Sequence, residues 1–119
     1  MIEVERVDYI AVPTRDVERA KQFYGETLGL PHEKDTPVGA EYRAGQVTVG
    51  IVKSADVGQD FAPNQSGFAL RVPDVDAARE TLHAAGVELT EVYDTGVCRL
   101  ALFTDPDGNR LVLHRRYAP

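Results

Sequence analysis

Arg71 and Arg99 are the residues of this chain that most need a chemical explanation. Each stands in an otherwise apolar run, Phe68-Ala69-Leu70-Arg71-Val72 and Val97-Cys98-Arg99-Leu100-Ala101-Leu102-Phe103. A guanidinium taken out of water without a partner is costly. Each therefore calls for a ligand carboxylate or phosphate, or for an acid of the chain itself. Strand alternation groups Arg71 with Gly67 and Ala69, and Arg99 with Ala101 and Phe103, and both sets are expected to face a ligand. Tyr9 and Tyr42 offer aromatic walls with a polar tip, suited to gripping a planar organic molecule. For Tyr42, core packing is the favoured of the two readings. His114, near the end of the last apolar run, could bond a ligand or move a proton, or lie at the surface beside Arg115 and Arg116. Glu41 reads as an exposed strand acid. His32, in a loop after Pro31, and His83, in a helix, read as solvated, and their spacing matches no metal motif. The chain has no Gly-x-Ser-x-Gly elbow, P-loop or dinucleotide fingerprint.

The elements that position these residues come from a repeat. Tyr9–Lys21 lies over Gly67–Arg79 without a gap, with Ala11/Ala69, Asp16/Asp74, Val17/Val75 and Ala20/Ala78 identical. Each copy predicts a strand running into a helix capped by an Asp. Val7–Val12 reads as the first strand. Val17, Ala20, Tyr24 and Leu28 form one buried helical stripe, stopped by Gly29. Glu41–Ala44 and Val47–Lys53 read as a hairpin around Gly45-Gln46, and Ser54–Ser66 as a polar linker in which Phe61 packs on its own domain. In the second copy Phe68–Val72 is the strand, Val75, Ala78, Leu82 and Ala85 the stripe, and Gly86 the stop. Val87–Tyr93, Val97–Phe103 and Arg110–Arg115 follow as strands. Asp105-Pro106-Asp107-Gly108-Asn109 reads as a tight turn in which Gly108 and Asn109 tolerate positive φ. The fold class is α+β, one domain over 1–119, with βαβββ modules at 1–58 and 65–119.

Composition narrows the function. The 119 residues are 43% hydrophobic and 27% charged, with a net charge of −6. That balance argues against nucleic-acid binding and favours capture of a cationic ligand. No apolar run is long enough to span a membrane, and Met1–Glu5 does not read as a signal peptide. The single Cys98 reads as a small buried filler in a cytoplasmic protein.

The stretch Asp16-Val17-Glu18-Arg19-Ala20…Phe23-Tyr24…Leu28-Gly29-Leu30, its second copy at Val72-Pro73-Asp74-Val75-Asp76, and Phe103-Thr104-Asp105-Pro106-Asp107-Gly108-Asn109-Arg110-Leu111 carry a resemblance. Together they resemble the vicinal oxygen chelate superfamily of glyoxalases, bleomycin-resistance proteins, extradiol dioxygenases and fosfomycin-resistance enzymes. The resemblance implies two modules curling into an open-barrel cleft, and commonly a homodimer. In metal-dependent members it also implies a His on the first strand and a Glu on the last strand of each module, holding a divalent metal. Mapped by the repeat, those positions are Tyr9, Gly50, Gly67 and Val112. Three of the four cannot supply a metal-binding side chain, and a lone phenol is a poor site for a divalent metal.

No metal and no cofactor is therefore expected. The expected function is metal-independent binding of a small aromatic or cationic molecule, resembling the bleomycin-resistance branch. The expected ligand set is Tyr9, Tyr42, Gly50, Arg71, Arg99, Val112 and His114. The alternatives are an isomerase, lyase or hydrolase using His114, Tyr9 or Glu41 as acid or base or a metal on unusual ligands, and a degenerate member whose cleft is filled.

Overall fold

The computed structural model describes residues 1–119. They divide into two compact units, Met1–Pro63 and Asn64–Pro119.

In the first unit β1 (Tyr9–Thr14) leads into α1 (Val17–Gln22), which continues as a π-helical turn over Phe23–Thr27. Asp16 caps the helix as its sequence position implies. Its extended backbone (φ −143°, ψ 100°) lets the carboxylate accept the free N–H of Arg19 at 3.1 Å. Ala20 and Tyr24 of the expected stripe are buried, and Phe23 is buried beside them. The widened turn, closed by Leu28 N donating to the Phe23 carbonyl at 2.9 Å, presents two adjacent aromatics inward together. Three strands follow, β2 (His32–Thr36), β3 (Gly39–Ala44) and β4 (Val47–Lys53). The sheet order is β1-β4-β3-β2, with β1 parallel to β4 and the rest antiparallel. Val12, Val49, Ile51, Ala40 and Tyr42 fill the side packed by α1. The residues opposite them, Tyr9, Gly50 and Glu41, turn away from the helix. His32 is not in a loop: it opens β2, an edge strand of polar residues held by its ladder to β3 and by the Glu33–Arg43 pair at 2.7 Å. Past β4, Ser54–Val57 form a short 3-10 turn. Phe61 packs on its own unit, with the Arg15 guanidinium 4.2 Å above its ring centroid.

The second unit repeats the plan with β5 (Phe68–Arg71), α2 (Val75–Ala84), β6 (Tyr93–Asp94), β7 (Cys98–Thr104) and β8 (Arg110–Arg116), in the order β5-β8-β7-β6. Asp74 caps α2 through Ala77 N at 3.0 Å, at almost the angles of Asp16 (φ −145°, ψ 108°). Val75 and Leu82 are buried, while Ala85 lies past the stripe and is exposed. The strand expected over Val87–Tyr93 shrinks to Tyr93–Asp94. Its upstream backbone is satisfied differently: Arg79 donates to the carbonyls of Thr90 (2.7 Å) and Leu89 (3.4 Å), and the Thr90 hydroxyl accepts from Leu102 N at 2.9 Å. The turn before β8 is built on side chains. Asp105 Oδ1 accepts from Asp107 N and Asn109 N, each at 2.9 Å, and its Oδ2 accepts from Asn109 Nδ2 at 2.8 Å. Of the two residues expected to tolerate positive φ there, only Gly108 adopts it, at 90°.

Candidate functional site

The first unit's open face centres on Tyr9. Its side chain is 43% exposed, and its ring lies directly over Gly50. A Cβ at Gly50 would collide with the phenol, so the tyrosine fits only because the glycine opposite has no side chain. Register brings Glu41 beside Gly50 on the same face. Burial, and then the Glu41 charge, push the Tyr9 hydroxyl above its ordinary range. At neutral pH it is a neutral hydrogen-bond donor beside a carboxylate. Glu41 is half-buried rather than exposed, and strand alternation alone could have placed it here.

Tyr42 does not join this face. It is 2% exposed on the helix side, donates its hydroxyl to the Lys21 carbonyl at 3.2 Å, and packs under Gly25. The physical reason is register: Tyr42 pairs with Val49, whose side chain supports α1. Its ring forms the floor of an open basin of about 820 Å³ between α1 and β2. There Asp35 Oδ1 lies 2.9 Å from both Lys21 Nζ and His32 Nε2. These partners, Lys21 first, hold the Asp35 carboxyl below its ordinary value.

In the second unit the face turned from α2 carries Arg71, His114 and Val112. Arg71 pairs with His114, and Ala69 with Val112. Arg99 lies on the other face, and the expectation that it faces a ligand is corrected. Ala101 and Phe103, which alternate with it, are buried against the α2 side with Leu113 and Leu111. Arg99 finds its partner there, in Asp76 of α2 at 2.7 Å, with Asp94 at 3.6 Å. A one-residue shift of alternation in β7 thus exchanges Arg99 for Leu100 and Leu102 on the open face. Sequence reasoning missed these two leucines. Pairing β7 with β8 first would have found them, since Leu100 and Leu102 stand opposite His114 and Val112. Cys98 is buried and unpaired with any other cysteine.

Three of the four positions that the resemblance assigns to a metal supply no ligand side chain. Gly50 lies under the Tyr9 ring. Gly67 precedes β5 at φ 69°, and a side chain there would strike the Arg110 carbonyl. Val112 is apolar. No three His, Cys, Asp or Glu side chains are grouped to hold an ion. No helix is long and apolar enough to cross a membrane.

The Glyoxalase/Bleomycin resistance protein/Dioxygenase superfamily matches residues 6–113. With the paired βαβββ units described above, the chain belongs to this superfamily. Among solved structures it is similar to TnmS3, an antibiotic binding protein from Streptomyces sp. CB03234, at 29% identity over 98% of this chain and 100% of that one, with a TM-score of 0.82. A glyoxalase/bleomycin resistance protein from the same strain is 30% identical over 92% of this chain and 100% of the other (TM-score 0.76). The lactoylglutathione lyase of Agrobacterium tumefaciens shares the fold alone, at 17% identity over 94% of each chain and a TM-score of 0.79. Among curated proteins no match is found.

Proposed function

We propose that this chain is a metal-independent binding protein that sequesters a small aromatic molecule. The observation that carries this reading is the Tyr9 ring over Gly50. It puts a half-exposed aromatic wall where a metal-dependent relative needs two ligand side chains. A protonated phenol beside Glu41 can donate a hydrogen bond to a bound molecule but is poorly suited to act as a base. The likeness to an antibiotic binding protein supports the binding class. Of the two ligand classes expected from the sequence, the aromatic one is favoured, because the wall itself is an exposed tyrosine ring. The proposal includes a homodimer. Each sheet ends in strands with an unpaired edge, and such edges invite pairing. Light scattering is then expected to give twice the 13.1 kDa chain mass, and the monomer mass at micromolar concentration would refute the dimer.

The binding class is tested by a thermal-shift screen of planar aromatic molecules, run with EDTA and again with zinc or manganese. A native-state ligand raises the melting temperature by mass action. The expected shift is the same in both conditions. A shift that appears only with metal would contradict the reading.

A further inference from the structure

We infer that the open face of the second unit holds an anion subsite, in which Arg71 and His114 take the acidic group of an aromatic ligand while Leu100 and Tyr93 carry its rings. This rests on the binding reading above and adds the chemical class of the ligand, an aromatic acid.

The four residues form one row across the sheet. Arg71 on β5 pairs with His114 on β8, His114 with Leu100 on β7, and Leu100 with Tyr93 on β6. Directly paired residues project to the same side, and neighbouring strands lie about 4.8 Å apart, so the row spans about 14 Å. That suits a carboxylate joined to a fused-ring body.

The polar end of the row carries the Arg71 guanidinium and lacks an acid. The exposed Arg71 makes one long donation, 3.5 Å, to the Arg116 carbonyl, and reaches no carboxylate. His114 is half-buried with no hydrogen bond or ion pair to its ring. Other arginines of the chain show what such groups do when an acid is in reach: Arg43 bonds Glu33 at 2.7 Å, and Arg99 bonds Asp76 at 2.7 Å. The nearest acid in sequence to the row, Asp94, alternates away from Tyr93 and is held by the Tyr117 hydroxyl at 2.6 Å. A planar guanidinium with free donors recognises a carboxylate in a two-pronged fashion. The other end is apolar and aromatic, with Leu100 half-buried and Tyr93 53% exposed. An exposed tyrosine next to leucine is a stacking platform.

The test compares naphthoate with naphthamide, the same ring carrying a neutral amide, by calorimetry and fluorescence on the full chain. Wild type is expected to bind naphthoate at least about tenfold tighter. Arg71→Gln is expected to bring naphthoate down to the naphthamide level and leave naphthamide unchanged. Arg71→Lys should keep most of the preference, and both variants should melt near wild type because Arg71 is exposed. Equal wild-type affinity for the two probes, or a preference that survives Arg71→Gln, would overturn the anion subsite and leave the binding reading standing. Failure of both probes to bind at millimolar concentration would overturn both.

Discussion

The two units share a skeleton and differ where the skeleton is not at stake. Asp16 and Asp74 cap their helices at nearly the same backbone angles, and both sheets run first strand, last strand, third, second. Their helix-packed faces are alike in kind, with Val49 and Ile51 in one and Leu111 and Leu113 in the other. The open faces diverge. The first presents Tyr9 over Gly50 with Glu41 beside it, and the second a row from Arg71 to Tyr93. A face that supports no core residue is free to take up ligand chemistry, whereas a cap or a packed strand is not. The hairpins joining the last two strands differ too. In the first unit Gly45, at φ 62°, turns the chain in two residues, while the second buries Asp105, Asp107 and Asn109.

That last difference should give the largest effect. Asp105→Ala removes a carboxylate that accepts three buried hydrogen bonds, and is expected to cost about 3–5 kcal/mol of stability in urea unfolding. The first unit's counterpart, Gly45→Ala, meets no neighbouring atom and carries only the strain of positive φ, about 1 kcal/mol. Similar costs at the two turns would break the contrast.

The two tyrosines of the first sheet should separate as cleanly. Tyr42→Ala empties a packed site and should cost about 3–5 kcal/mol without changing aromatic-ligand affinity in the folded fraction. Tyr9→Ala should cost under about 1 kcal/mol, yet weaken binding about tenfold. A low-melting Tyr9→Ala protein that binds normally would make Tyr9 a core residue.

A double-mutant cycle sharpens the Tyr9–Gly50 pairing. Gly50→Ala must push the phenol aside and is expected to cost about 1–2 kcal/mol. In a Tyr9→Ala background the same change should be neutral or stabilising, since alanine suits a strand better than glycine. Additive costs would mean the two do not touch.

The smallest effect is electrostatic and belongs to the second unit. The Tyr117 hydroxyl, with the Gly96 N–H next, holds the Asp94 carboxyl below its ordinary 3.8. A depressed carboxyl stabilises the fold above the unfolded value and loses that contribution as pH falls through the folded one. Tyr117→Phe should therefore lower stability slightly at neutral pH and flatten the fall below pH 3.8, so that variant and wild type converge in strong acid. An unaltered acid limb would show that Asp94 does not need the phenol.

Much of this was legible in the chain. The ungapped repeat from Tyr9 and Gly67 gives both strand–helix units, because a capping Asp and a helical apolar stripe act locally. β2 was not legible: His32–Thr36 carries no apolar alternation, as an edge strand exposed on both sides need not. The shortened β6 was hidden because Arg79 and Thr90 side chains replace ladder bonds from other elements. Tyr9, Gly50 and Arg71 were placed on their faces by alternation, since each strand is anchored by clear buried residues. Arg99 was misplaced because β7 is apolar on both faces. Periodicity is silent there, and only pairing with β8 and the Asp76 carboxylate decide the side.

The proposed ligand wall of Tyr9 over Gly50 needs no metal. Elemental analysis of protein purified without chelators tests it most directly. No stoichiometric zinc, nickel, manganese or iron is expected, together with full aromatic-ligand binding. One bound metal per chain, required for that binding and lost in Tyr9→Phe, would contradict it.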